Sequence, residues 1–175
     1  MVGVSASMIC RLEHGTLRSL SVELMARIAA VLGNDLAVKL YPSGPPVRDA
    51  GHLALLEAFR RHVSSAFRWI AEWPLPGPRD PRAWDVGLLG AGVRIGVEGE
   101  TNPDDLQALE RRLVQKQKDG QVDRVILLIK GTERNRRLVR EAGIGLRLAF
   151  PLDTHEVLRA LREGRVPGAN GIVFL

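Results

Sequence analysis

The amino-acid sequence predicts an α/β sandwich with a mixed sheet, preceded by a small helical unit. Three observations carry that expectation. The stretch 82–100, "RAWDVGLLGAGVRIGVEGE", holds two alternating runs around Gly90-Ala91-Gly92, where glycine supplies the positive φ of a tight hairpin turn. "RVILLIKG" at 124–131 is a short, nearly continuous apolar run with helical patterns on either side, as expected of a strand covered on both faces. "PSGPPVRD" at 42–49 places three prolines and a glycine in eight residues and breaks the chain. The expected organisation is a helical unit at 1–41, a linker at 42–50 and an α/β domain at 51–175.

In the first unit, Ser5 is placed to cap a helix whose Met8, Ile9 and Leu12 recur at helical spacing and which Gly15 ends. A second helix follows in "SLSVELMARIAAVLG", with Ser21 as cap, Glu23 in the first turn, a Leu24/Ile28/Val31/Leu32 stripe and Gly33 as stop. "DLAVKLYP" then alternates at Leu36, Val38 and Leu40 and predicts a strand. Cys10, the single cysteine, is expected to be buried or half-buried.

Beyond the linker, "GHLALLEAFRRHVSSAFRW" predicts a helix with Leu53, Leu56, Phe59 and Val63 inward, and "FRWIAEWPL" a strand. After the hairpin comes a helix opened by Asn102 with Pro103 in first position and Leu106, Leu109 and Leu113 on its inner stripe. A strand at Val125–Ile129, a helix in "TERNRRLVREAG", a strand at Leu146–Phe150 and a last helix capped by Asp153 and Glu156 complete the order. The two strands around the "TERNRRLVREAG" helix are expected to pair in parallel.

Composition excludes several classes. Apolar residues make up 45% and charged residues 26% of 175, an ordinary globular mixture. No apolar stretch reaches a membrane span, no leader pattern opens the chain, and the expected location is cytoplasmic. A single cysteine rules out an intramolecular disulfide and a thiolate zinc site within one chain, and the four histidines lack ligand spacing. No phosphate loop or dinucleotide fingerprint follows a strand, so no nucleotide cofactor is expected. Net charge is +5. Most of that excess lies between Glu110 and Arg140, where ten Arg or Lys face four Asp or Glu. Such a field favours a polyanionic partner.

"GVSASMICRLEHG" resembles the turn and recognition helix of the Cro/repressor type of helix-turn-helix, and "SLSVELMARIAAVLG" the helix after it. The resemblance covers about residues 2–33. It implies contact with double-stranded DNA through Ser5, Ala6, Ser7 and Arg11. Arg18 and, from the basic field, Arg111, Arg134 and Arg137 are expected as further DNA contacts on the ground of charge. Such modules pair on DNA, and the 36–40 strand is the expected element of a homodimer. The family carries two helices before the turn, whereas this chain begins at the turn. The apolar residues at 8, 9, 12, 24 and 28 therefore need cover from the rest of the chain, a second subunit or, as favoured here, sequence upstream of Met1.

Carboxylates stand out in the hairpin. If Trp84, Val86 and Leu88 share one side and Val93, Ile95 and Val97 pack with them, then Asp85, Glu98 and Glu100 share the other. Acids converging there are of the type that holds Mg²⁺ against a phosphodiester. The element order resembles the restriction-endonuclease-like nuclease superfamily over about residues 50–150. On that resemblance Glu57 is the helix acid, Asp85 the strand acid and metal ligand, and Glu98 the first acid and second ligand of a Glu-x-Lys motif. Glu100 occupies the lysine position, and the missing group is sought on the next helix, where Arg111, Gln115 and Lys118 lie on or near the side away from the leucine stripe and Lys118 is the candidate catalytic cation.

Three readings of this patch stand side by side. It is a solvated hairpin face, a nuclease-like fold that binds DNA without cutting it, or a working Mg²⁺ nuclease. The leading expectation is a sequence-specific DNA-binding protein, regulator-like, with a degenerate nuclease-like domain. The Mg²⁺-dependent nuclease using Asp85, Glu98 and Glu100 is the alternative, and a non-nucleic-acid interaction module, antitoxin-like or scaffold, is the third expectation.

Overall fold

The structure, a computed structural model, describes residues 5–14, 16, 19–36, 38, 46–77 and 80–175. The chain divides into two compact units, Met1–Ser43 and Gly44–Leu175.

The first unit contains α1 (Ala6–Glu13) and α2 (Val22–Val31). Both start where their capping serines predict: Ser5 Oγ accepts the Met8 N–H at 3.3 Å and Ser21 Oγ the Leu24 N–H at 3.2 Å. Gly33 ends α2 with φ of 70°. No residue of either helix is buried, so the apolar stripe read from the sequence has no core to enter within the described part of this unit. Cys10, expected to be at least half-buried, is exposed, with its Sγ 3.6 Å from His14 Nδ1. Gly15, Arg18 and most of the 36–40 strand lie outside the described residues.

The second unit is a five-stranded mixed sheet between two helical layers. After α3 (Pro46–Arg60) come β1 (Arg68–Pro74), β2 (Ala83–Gly90) and β3 (Val93–Glu100), an antiparallel meander. Ala91 and Gly92, at φ of 51° and 74°, make the β2–β3 turn. Helix α4 (Leu106–Asp119) leads to β4 (Arg124–Ile129), parallel to β3; α5 (Glu133–Glu141), α6 (Ile144–Ala149) and α7 (Thr154–Arg162) lead to β5 (Gly171–Phe174), parallel to β4. One core lies under α3 and α7, around Leu55, Phe59, Val86, Leu88, Ile95, Val97, Val157 and Leu161. The other lies under α4 and α6, around Trp84, Leu109, Leu113, Val125, Leu127 and Leu146. Every residue of β4 from Val125 to Ile129 is buried, as its uninterrupted apolar run requires.

Four local expectations are corrected. The expected strand at Leu146–Phe150 is helix α6, and the parallel partner of β4 is β5, at the end of the chain. Helix α4 starts later than expected, with Asp105 and not Asn102 as its cap, its side chain accepting the Ala108 N–H. Leu53 is 61% exposed and Leu55 takes the inward position. Trp84 packs on the α4 side although Val86 and Leu88 pack on the α3 side. Both neighbouring strands switch face together: Trp73 pairs with Trp84 and Ala71 with Val86, with Glu72 at φ of 47° between them.

The strand glycines serve packing. A Cβ on Gly87 would stand 2.2 Å from the Trp73 ring, and one on Gly96 2.5 Å from the Trp84 ring. The two indoles lie directly on glycine backbone, which accounts for the residues that strand propensity disfavours.

Candidate functional site

The β2–β3 ladder pairs residues as far as Val86 with Val97 and then opens. Asp85 and Glu98 are the first residues past that last pair, on adjacent strands at the fork. Asp85 bridges it: Oδ2 accepts the Gly99 N–H at 2.7 Å, standing in for a ladder hydrogen bond. The same oxygen lies 3.4 Å from His52 Nε2 on α3. Glu98 and Glu100 stand beside Leu127 and Ile129 of β4 and take the α4 side of the sheet. There Lys116 Nζ donates to Glu98 Oε2 at 2.6 Å and to the Ala83 carbonyl at 2.7 Å, and lies 4.6 Å from the centre of the Trp84 ring. Arg112 Nη2 donates to Glu100 Oε1 at 2.6 Å. Past Glu100, a cavity of about 370 Å³ opens between Asn102, Asp104, Ala108 and Arg112.

The expectation of one shared acid face is corrected. Asp85 turns to α3 and Glu98 to α4, because the face switch at Glu72 and Asp85 breaks the simple alternation on which that expectation rested. Their charges still interact. Burial pushes the Glu98 carboxyl above its usual range and the Asp85 charge adds to this, while Lys116 pulls it back. The hydrogen bond to Asp85 raises the His52 imidazole, against the opposing effect of burial.

The cation of this site is Lys116, not Lys118, which is exposed. Glu57, expected as the helix acid, is also exposed and lies 3.9 Å from Arg60, while His52 of the same helix meets Asp85. Both missed residues had a signal in the sequence. Leu106, Leu109 and Leu113 continue at helical spacing to position 116, and His52 begins the stripe that runs through Leu55, Leu56 and Phe59.

Mg²⁺ requires several oxygens aimed at one point, with room for its waters. Here Asp85 accepts from the Gly99 amide beside His52, Glu98 accepts from Lys116 and Glu100 from Arg112. Among the described residues no group of three His, Cys, Asp or Glu side chains is arranged to hold a metal. The arrangement does not fit a resident Mg²⁺ ion at Asp85 and Glu98.

The expected DNA-contacting residues divide in two. Ser5, Ala6, Ser7 and Arg11 are exposed on α1, with the Ser5 and Ser7 hydroxyls 3.1 Å apart. In the basic region several cations have internal partners: Lys116 and Arg112 as described, Arg134 with Asp104 at 2.9 Å, Arg140 with Glu133 at 2.7 Å, and Arg136 over the Phe174 ring. Arg111, Lys118, Lys130 and Arg137 are exposed. Among the described residues no helix is long and apolar enough to cross a membrane. No family model, no curated protein and no solved structure matches this chain.

Proposed function

We propose that this chain is a DNA-binding protein of regulator type, whose C-terminal unit is a nuclease-like domain with its acid site closed by its own cations. The observation that carries the reading is the open face of α1. It is a serine-capped helix that presents two hydroxyls at its start and Arg11 one to two turns on. A capped N-terminus with short polar side chains suits a phosphate, and an arginine at that spacing suits the neighbouring backbone or a base edge. The exposed cations Arg111, Lys118, Lys130 and Arg137 support the same partner, double-stranded DNA.

A nuclease-like ancestry is supported by the order helix, meander, helix, parallel strand; Asp85 and Glu98, which turn to opposite layers, add nothing to it. The buried Lys116–Glu98 pair supports a site that no longer turns over.

Fluorescence anisotropy with a labelled duplex, across a salt series, tests the reading. Binding is expected to weaken as salt rises, by about 0.9 in log–log slope per phosphate neutralised. Ser7→Ala with Arg11→Ala is expected to weaken it further. Absence of binding at low salt refutes the proposal. The same duplex incubated with Mg²⁺ or Mn²⁺ is expected to remain intact; cleavage that Asp85→Ala abolishes transfers the assignment to the nuclease.

A further inference from the structure

The outer side of α6 is apolar. Ile144 and Leu148, one helical turn apart, are 76% and 75% exposed, the most exposed large hydrophobic side chains among the described residues. Leu146 on the same short helix is buried, so α6 is anchored on one side and bare on the other. Two grooves run along its flanks. The first, of about 590 Å³ between α6, the start of α4 and the end of α5, carries Glu110 and Glu141 against Arg111, together with Asp104, already paired with Arg134, and the α4 cap Asp105. The second, of about 570 Å³ between α6, α5 and the start of α7, carries Arg136, Arg147 and Arg140, the last also bonded to Glu133, against Asp153. Its floor includes Phe150, Ile172 and Phe174, and Leu146 lines both grooves. One short apolar ridge thus separates an acidic trough from a basic one.

That layout is complementary to itself. Turning the surface by half a revolution about an axis that runs along the ridge brings each acidic trough opposite a basic one and sets ridge on ridge, the condition for an isologous contact. We propose that the α5–α6 face is a two-fold interface between copies of this chain, with Ile144 and Leu148 of both at the axis. A second copy supplies the opposite charges in the required places automatically, whereas a unipolar partner such as DNA matches one trough and is repelled by the other. Within the chain Arg147 bonds the backbone oxygen of Arg140, at 3.1 Å, which leaves its charge available to a carboxylate across the axis. The ridge supplies the apolar burial and the troughs fix orientation. This surface is separate from the 36–40 strand expected from the sequence as a dimer element, and it does not depend on the DNA-binding reading.

Sedimentation of the full chain over a concentration series at low salt tests the proposal. The wild-type chain is expected to form a dimer. Ile144→Asp combined with Leu148→Asp is expected to be monomeric with the circular dichroism of the wild type, because both side chains are exposed. Arg147→Glu alone and Glu141→Arg alone are each expected to weaken dimerisation about tenfold or more. An equimolar mixture of those two variants is expected to recover wild-type association, since both trough pairs of the mixed dimer again join opposite charges. A wild-type chain that stays monomeric, a dimer indifferent to the Ile144/Leu148 change, or a mixture no tighter than either variant alone overturns it.

Discussion

Replacing Lys116 by Met isolates the interaction at the centre of the fork. Met keeps the unbranched stem and removes the cation. The Lys116 and Glu98 side chains are 7% and 13% exposed, so the loss leaves a carboxylate in a desolvated place without its counter-charge, a change worth about 3–5 kcal/mol. Losing the hydrogen bond to the Ala83 carbonyl adds about 1 kcal/mol. Protonation offers Glu98 an escape. Its folded-state pKa is already raised by burial and by Asp85, and Lys116 is what restrains it. Without Lys116 the folded pKa climbs further above the unfolded value. A raised carboxyl contributes stability that is fully present below the unfolded pKa and is lost as pH rises through the folded one. The cost of Lys116→Met is therefore expected to be larger at about pH 8 than at about pH 5, each pH unit within the window changing it by at most about 1.4 kcal/mol. Urea denaturation followed by tryptophan fluorescence reads it, with Trp84 beneath the substituted side chain as reporter. The double variant Lys116→Met/Glu98→Gln is expected to recover most of the loss at about pH 8, because it removes the stranded charge. A cost under about 1 kcal/mol, or one unchanged between these pH values, refutes the account of a desolvated pair.

Two further expectations test the site and the sheet. Asp85→Asn removes the largest cause of the raised His52 pKa and leaves the desolvation that opposes it, so the His52 midpoint in an NMR titration is expected to fall; an unchanged midpoint means that the imidazole does not sense Asp85. Gly96→Ala drives a methyl to 2.5 Å from the Trp84 ring, which is 1% exposed and has no room to retreat. A loss of about 1–3 kcal/mol in urea denaturation is expected, with altered Trp84 emission, and wild-type stability in this variant contradicts the packing described.

Features set by neighbours along the chain are legible in its letters. Ser5 and Ser21 cap their helices, Asp153 and Glu156 form a complete capping box, and Ala91-Gly92 turns the hairpin. Each needs only contacts within a few residues, so its signal is contained in a short stretch. The apolar run at 124–131 likewise announces a strand with two covered faces. The acids at 85 and 98 stand out because hairpin register follows from its turn. His52 and Lys116 are also written in the stripes of α3 and α4, yet a lysine or histidine among leucines reads as an interruption until the partner acid is known to face it.

The sequence by itself determined the starts of α1, α2 and α7, the hairpin, the mixed α/β character and the identity of the acids at the fork. Only the tertiary structure decided whether 144–149 coils and 171–174 extends, because runs of four to six residues fit either period and the choice falls to whichever can pair with the open edge of β4. It alone decided that Asp85 and Glu98 turn to opposite layers. That outcome follows from two indole rings settling on two glycine backbones across neighbouring strands, a packing solution that alternation along one strand does not encode.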